Sequence, residues 1–156
     1  MKKKYFNKNK GILFWITGLS GSGKTQIANR ISKKISKLYG PTIVVSGDEL
    51  RNIFDLKKYD YKSRISNSKK FCKFAKFITD KKINLIFAIV GMMEQPRKWN
   101  RKYIKNYIEI YIKSDIKKII RKKRKRIYRS TNKKNIVGID IKPELPKNYD
   151  ILINNN

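Results

Sequence analysis

A glycine-rich segment near the amino terminus places the strongest constraint on how this chain folds. Residues 18–25, GLSGSGKT, match the pattern G-x-x-x-x-G-K-[ST]. The apolar run at 11–17 before them is typical of a buried parallel strand, and apolar residues recur at helical spacing over 26–38 after them. A glycine loop between such a strand and such a helix lets backbone N–H groups surround a phosphate. The segment therefore predicts a phosphate-binding loop.

The polar residues of this loop have predicted roles in binding a nucleoside triphosphate. Lys24 is expected to reach the outer phosphates and to act in catalysis, and the Thr25 hydroxyl is expected to ligate Mg²⁺. A chance match within a Gly/Ser turn is the alternative, which the flanking strand and helix disfavour. The residues predicted to bind ATP are Gly18, Ser20, Gly21, Ser22, Gly23, Lys24 and Thr25.

Strands alternate with helices along the rest of the chain. The further predicted strands lie at 42–45, 83–90, 107–112 and 151–153, and the further predicted helices lie at 63–80 and 115–123. This alternation indicates right-handed crossovers, and hence an α/β fold of three layers, α/β/α, with a mostly parallel sheet of about five strands.

The length of 156 residues suits a single domain. Residues 1–10 are basic and without periodicity, which predicts a flexible leader, and the domain is expected to occupy 11–156. The stretch at about 125–146 has little regular pattern and contains two prolines. Long irregular loops of this kind are often functional, so this one is predicted to be a lid.

Composition narrows the chemistry and the partners. Forty Lys and Arg against eleven Asp and Glu give a net charge of +29, which predicts anionic partners such as nucleotides or, without specificity, nucleic acids. Compositional bias on a solvated surface is the alternative. The absence of His and the single Cys72 exclude His general bases, disulfides and zinc clusters. The amino-terminal apolar run is too short for a membrane span, so a cytoplasmic protein without a membrane partner is expected.

A phosphate-binding loop requires a nearby carboxylate to complete a metal site, and Asp48 is the best candidate. It follows the predicted strand at 42–45, whereas the predicted strand at 83–90 is followed by residues without a carboxylate. Ligands of open α/β sheets bind at the carboxyl ends of strands. Asp48 is therefore predicted to ligate Mg²⁺ and to orient or deprotonate an acceptor hydroxyl. A helix N-cap is the alternative, and both roles are compatible. The adjacent Glu49 would point about 100° away around a helix.

Three further residues form spaced pairs that suit an anionic or nucleotide ligand. Arg51 lies one turn after Asp48, and Arg64 with Asn67 has i, i+3 spacing. Guanidinium groups bind phosphate or sulfate bidentately, and Asn can hydrogen-bond a base or ribose. In so basic a chain, a solvated surface position is the alternative for each arginine.

The motifs together resemble the adenylylsulfate (APS) kinase family of P-loop kinases. The resemblance covers residues 11–155 and rests on GILFWITGLSGSGKTQIA, GDELR, SRISN, YIEIYIK, NIVGID and PELPKNYDILINN. It implies that the glycine loop binds ATP and Mg²⁺ and that Asp48 serves the metal and the acceptor hydroxyl. It also implies that the acceptor nucleotide binds to Arg51, Arg64 and Asn67. The lid would include Lys125, Ile139 and Asp140.

The chain departs from the family pattern at several positions. Ser46 stands where the family usually has Asp, Ser63 stands where it has Asp, and residues 91–93, GMM, replace the usual Pro-Tyr-Arg. The following Trp-Asn-Arg at 99–101 resembles a branch that includes kinases acting on cytidine diphosphoramidate. In that interpretation Arg101 replaces the missing arginine of the acceptor site.

The resemblance implies a kinase that transfers the γ-phosphoryl group of ATP to a hydroxyl of a small nucleotide. The first acceptor expected is the 3′-hydroxyl of adenosine 5′-phosphosulfate, giving PAPS. The alternative is cytidine diphosphoramidate or another nucleotide. An alternative of a different class is a degenerate, basic nucleic-acid-binding protein that uses residues 113–129. A homodimer is left open.

Overall fold

The computed structural model describes residues 5–121 and 134–155. Its strands are β1 (Leu13–Gly18), β2 (Thr42–Ser46), β3 (Asn84–Ile89), β4 (Tyr107–Lys113) and β5 (Ile151–Asn154). Its helices are α1 (Lys24–Tyr39), α2 (Gly47–Ile53), α3 (Tyr61–Asp80), α4 (Glu94–Tyr103) and α5 (Ile116–Arg121). The strands form one sheet in the order β2-β3-β1-β4-β5, and the paired strands are parallel. The predicted parallel five-stranded α/β fold is confirmed.

The central strand β1 separates two apolar cores because its side chains alternate between the two faces of the sheet. Leu13 and Trp15 pack in one core with Phe71 of α3. Phe14 and Ile16 pack in the other core, where Ala28 and Ile35 of α1 cover them. All six residues of β1 are buried, as expected for a strand with neighbours on both sides and helices above and below. The carboxyl end of β1 is thereby fixed at the middle of the sheet edge.

Two helices were not predicted from the sequence, and two others begin earlier than predicted. The short α2 and the highly charged α4 carry too few apolar residues to show a clear helical period. The helix α1 begins at Lys24, directly after the glycine loop. The helix α3 begins at Tyr61 because Asp60 is its N-cap, and the Asp60 carboxylate accepts a hydrogen bond from the Ser63 amide at 2.9 Å.

Within the predicted leader, Asn7 and Lys10 make polar contacts with the domain. The Asn106 side chain accepts a hydrogen bond from the Asn7 amide at 2.8 Å and donates to the carbonyls of Asn7 and Lys10 at 2.9 Å. The Lys10 ammonium pairs with Asp80 at 2.8 Å. The basic segment is thus bonded to the domain by polar contacts that no periodicity could reveal. In the described part of the chain, no helix is long and apolar enough to cross a membrane.

Cys72 is buried, and its burial predicts slow reaction with thiol reagents. The thiol is 1% exposed beneath α4, and burial raises its pKa to about 12. Because the thiolate is the reactive form, we expect the native protein to react with an aromatic disulfide reagent at pH 8 at least about a hundredfold more slowly than the unfolded chain. The rate of thiol release, with and without denaturant, measures this directly. Rapid release from the native protein would show that the packing between α3 and α4 is not as described.

Candidate active site

The loop between β1 and α1 has the backbone geometry of an anion-binding loop. Gly21 and Gly23 have φ angles of 79° and 90°, in the left-handed region that glycine adopts without strain. Among the described residues, no side chain caps the amino end of α1. Its first N–H groups and the positive end of the helix dipole are therefore suited to an anionic ligand. The Ser22 hydroxyl is buried and has no hydrogen-bond partner among the described residues.

Lys24 lies over this loop, and its ammonium group donates a hydrogen bond to the Leu19 carbonyl at 2.7 Å. The side chain is only 9% exposed, so its orientation is restricted. Lys24 lines a cavity of about 550 Å³. We name it the loop cavity; it is also lined by Ser20, Gly21, Gly23, Thr25, Gln26, Ser46, Gly47, Asp48, Ala88, Ile89 and Val90.

The structure excludes the N-cap role for Asp48. The N-cap of α2 is Ser46, whose hydroxyl accepts a hydrogen bond from the Glu49 amide at 3.2 Å, while the Glu49 carboxylate accepts from the Ser46 amide at 2.6 Å. Ser46 and Glu49 thus form a reciprocal capping box, and Asp48 takes no part in it. Asp48 instead lines the loop cavity together with Lys24 and Thr25.

A second cavity, of about 200 Å³, meets the loop cavity at Asp48. The residues that line both are Ser20, Gly47, Asp48, Ile89 and Val90. We name the second one the arginine cavity, because Arg51 and Arg64 line it. Its other lining residues are Tyr59, Ser68, Phe71, Gly91, Met92, Met93, Ile136 and Val137. Two ligands, one in each cavity, would therefore meet beside the Asp48 carboxylate.

Both arginines lie against the ring of Tyr59. The guanidinium carbons of Arg51 and Arg64 lie 4.3 Å and 5.4 Å from the centre of its ring. Arg51 donates to the carbonyls of Leu56 and Lys58, and Arg64 donates to those of Tyr59 and Asn135. Burial, and then the charge of Arg51, lower the pKa of Arg64. In the described part of the chain, neither guanidinium forms an ion pair with a carboxylate, so the cavity carries positive charge suited to an anion.

Other predicted acceptor-site residues lie outside the two cavities. Asn67 is buried in α3, one turn after Arg64. Arg101 lies on α4 and donates to the Glu109 carboxylate at 2.6 Å and to the Asn148 carbonyl at 2.7 Å. The structure therefore does not bring Arg101 together with Arg51 and Arg64.

The predicted lid at 125–146 is described only from residue 134, and Lys125 lies outside the described residues. Ile139 is exposed in a tight turn. The Asp140 carboxylate closes that turn by accepting the amides of Asn135 and Ile136. Burial alone would raise the pKa of Asp140, but these amide donors lower it overall. Ile136 and Val137 of the same turn line the arginine cavity.

Sequence reasoning missed several residues that line or support the site. Tyr59, Met92, Met93 and Val137 line the arginine cavity, but neither their type nor their spacing distinguishes them from ordinary core residues. Near the end of the chain, the Asn155 side chain donates to the Ser22 carbonyl at 2.9 Å. A Cβ atom at Gly23 would lie 2.8 Å from that side-chain nitrogen, which is a second reason for glycine in the loop.

Comparison with known proteins identifies the family. The model of the adenylylsulphate kinase family matches residues 10–154, nearly the whole chain. This chain belongs to the adenylylsulphate kinase family. The resemblance inferred from its motifs is thereby confirmed, and the chain is an ATP-using kinase.

Two curated members of the adenylylsulphate kinase family illustrate its range. A cytidine diphosphoramidate kinase of Campylobacter jejuni is 40% identical over 152 residues, which cover 96% of this chain and 89% of the relative. An adenylyl-sulfate kinase of Clostridium acetobutylicum is 31% identical over 153 residues, which cover 94% and 76%. The fold agrees with the APS kinase of Mycobacterium tuberculosis, solved with AMPPNP and APS, at a TM-score of 0.80 and 24% identity over 93% of this chain and 88% of that one.

A substitution at Asp48 tests whether this carboxylate acts in the chemistry. Asp48→Asn preserves size while removing charge and proton acceptance, so we expect turnover lower by about 10² or more, with ATP still bound. Glu49→Gln is the matched control, because it removes a charge from the adjacent residue while its amide oxygen can still accept the Ser46 amide, so we expect nearly normal stability and turnover. Melting temperature, nucleotide binding and turnover of both variants are the measurements. Asp48→Asn turnover within a few-fold of wild type would identify a different residue as the essential carboxylate.

The contact between Asn155 and the glycine loop predicts an effect confined to ATP. Asn155→Ala removes the hydrogen bond to Ser22, and the loss of about 1 kcal/mol should raise the KM for ATP about fivefold. The KM for the acceptor should stay unchanged, because the arginine cavity is not touched. Asn154→Ala, at the exposed neighbouring position, should alter neither value. Steady-state kinetics with each substrate varied in turn measure both KM values. Equal changes in the KM for ATP in the two variants would contradict a role of Asn155 in supporting the glycine loop.

Proposed function

We propose that this kinase transfers the γ-phosphoryl group of ATP to a hydroxyl group of cytidine diphosphoramidate. The observation that carries the choice of acceptor is the 40% identity to the Campylobacter jejuni enzyme of that name over 96% of the chain, against 31% to the adenylyl-sulfate kinase of Clostridium acetobutylicum. The Gly-Met-Met loop at 91–93 and the Trp-Asn-Arg at 99–101, which depart from the pattern usual for APS kinases, support the same choice.

The loop cavity is the proposed ATP site. Glycine φ angles, uncapped N–H groups of α1 and the Lys24 ammonium provide the donors and the positive charge that phosphates require. The Thr25 hydroxyl and the Asp48 carboxylate line the same cavity and are oxygen ligands suited to Mg²⁺, which typically keeps several waters and binds one or two protein groups plus phosphate oxygens. When bound there, Mg²⁺ would neutralise phosphate charge.

The arginine cavity is the proposed acceptor site. Arg51 and Arg64 provide positive charge for the phosphate groups of the acceptor, and they are pre-ordered by their contacts with Tyr59 and backbone carbonyls. Phe71 and Met92 provide apolar surface for a base. The cavity is small, and it opens to the loop cavity beside Asp48, where the acceptor hydroxyl would lie.

Catalysis in this arrangement depends on positioning and on charge. Lys24 offsets negative charge that develops on the transferred phosphoryl group. Asp48 orients the acceptor hydroxyl and accepts its proton as the new O–P bond forms and the bond to the leaving phosphate breaks. The edge of the β-sheet fixes the two cavities relative to each other. The reacting groups are therefore held close together, which lowers the entropic cost of bringing them together.

Adenosine 5′-phosphosulfate is the second candidate acceptor. It is favoured by the family model and by adenylyl-sulfate kinases of Clostridium species that are 28% and 31% identical over 94–100% of the chain. It would use the same residues, because both acceptors are small anionic nucleotides. The two candidates differ in base and in terminal group, and only an assay with both distinguishes them.

Nucleic-acid binding through the basic surface is the weaker alternative. The segment assigned to it, 113–129, falls partly outside the described residues, whereas Lys24, Thr25 and Asp48 line one cavity as a kinase requires. Binding to nucleic acid by counterion release would fall steeply with salt and would not depend on sequence. A cytoplasmic location, where ATP is available, and a homodimer stay predictions.

A panel of acceptors tests the proposal. The protein is incubated with labelled ATP, Mg²⁺ and cytidine diphosphoramidate, adenosine 5′-phosphosulfate, CDP or random RNA, with and without a chelator. We expect phosphate transfer to cytidine diphosphoramidate, abolished by the chelator, and at least about a hundredfold slower transfer by folded Lys24→Ala. Preferential transfer to adenosine 5′-phosphosulfate would select the second candidate. No transfer to any acceptor, together with salt-sensitive RNA binding, would overturn both in favour of the nucleic-acid alternative.

A further inference from the structure

A buried ion pair beneath the arginine cavity has no part in the mechanism above. Arg97 of α4 and Glu109 of β4 are 3% and 1% exposed, and the Nε atom of Arg97 lies 3.3 Å from the Glu109 carboxylate. The same carboxylate also accepts hydrogen bonds from Arg101 at 2.6 Å and from the Tyr107 hydroxyl at 2.9 Å. Such a pair is a costly structure unless all its groups are bonded, so its position calls for a reason.

The other donors of Arg97 bond the backbone of two separate segments. Its Nη1 atom donates to the carbonyls of Gly91 and Met93 at 3.0 Å and 2.9 Å, and its Nη2 atom donates to the carbonyl of Glu144 at 2.8 Å. One planar guanidinium thus joins the loop after β3 to the last residues of the predicted lid. The loop at 91–93 contributes three consecutive residues to the wall of the arginine cavity.

Two further hydrogen bonds connect the same segments. The Glu144 amide donates to the Met92 carbonyl at 2.8 Å, and the Glu94 amide donates to the Glu144 carboxylate at 2.5 Å. The loop itself has an unusual backbone, with Gly91 at a φ of 44°. A loop without regular structure depends on such contacts for its shape, and the buried Arg97 donates two hydrogen bonds to it, at Gly91 and Met93.

The charge of Glu109 explains why Arg97 is found in the interior. Burial lowers the pKa of the Arg97 guanidinium, and the Glu109 carboxylate opposes that shift. Arginine stays charged in proteins, so a buried guanidinium requires a nearby anion and several acceptors. Glu109 supplies that anion: its Oε1 atom lies 3.3 Å from Nε as an ion pair without a hydrogen bond, while Nη1 and Nη2 donate to the three carbonyls.

We propose that Arg97 is a positioning residue that sets affinity for the acceptor by fixing the shape of the 91–93 loop, with Glu109 orienting it. The inference rests on the proposed function, because it takes the arginine cavity as the acceptor site. Lysine cannot replace Arg97 in this role. Its single ammonium cannot reach the Gly91, Met93 and Glu144 carbonyls together, whereas the planar fork of arginine does.

Steady-state kinetics of Arg97→Lys test the inference. We expect the KM for the acceptor to rise at least about tenfold, while the KM for ATP changes less than about twofold, because the loop cavity makes no contact with Arg97. A general loss of structure would instead alter both values. Lys98→Met is the matched control: Lys98 is the next residue on α4, exposed and paired only on the surface with Glu94 at 3.2 Å. It should leave both KM values unchanged.

Glu109→Gln is the second variant, and it keeps the test decisive if Arg97→Lys does not fold. It retains every Arg97 contact to the carbonyls while removing the charge that orients the guanidinium, so the acceptor KM should rise by a smaller factor, about threefold. An unchanged acceptor KM in Arg97→Lys, or in Glu109→Gln where the first variant is unfolded, overturns the inference while the kinase activity of the wild type stands. A wild type that phosphorylates no acceptor overturns the proposed function and this inference with it.

Discussion

The pairing of β1 with strands on both sides is the constraint on which the rest of the site depends. Because β1 lies between β3 and β4 in fixed parallel register, the glycine loop emerges at the middle of the sheet edge. The ends of β2 and β3 reach the same edge and bring Asp48 and the 91–93 loop beside it. Ligands of open α/β sheets bind at this edge because loops from several strands converge there.

The first turn of α2 shows how neighbouring residues divide structural and chemical work. Ser46 and Glu49 satisfy the first amides of the helix through their reciprocal hydrogen bonds. Asp48, which lies between them in the sequence, does not cap the helix and lines both cavities. Ser46 departs from the Asp usual in the family, but both residue types are strong N-caps, so the start of the helix is retained.

The parts of the site that were predicted from the sequence are those with local signals. The glycine loop lies between a strand, predicted from a continuous apolar run, and a helix, predicted from its helical spacing of apolar residues. Asp48 lies just after another predicted strand. Arg97 was missed because one of its partners, Glu144, lies 47 residues further along the chain. Arg101 was chosen for the acceptor site because it belongs to the Trp-Asn-Arg motif, yet its side chain bonds Glu109 and Asn148. Arg97 is the arginine that bonds the 91–93 loop. Such choices between neighbouring arginines depend on tertiary packing.

The contrast between forty basic and eleven acidic residues gives each carboxylate unusual weight. Most of them perform a distinct structural task, such as the cap of α3 by Asp60, the ion pairs of Asp80 and the turn closed by Asp140. Surface lysines have many equivalents, but no second acid stands ready to replace any of these. Loss of one of these carboxylates is therefore expected to cost more stability than loss of a surface lysine.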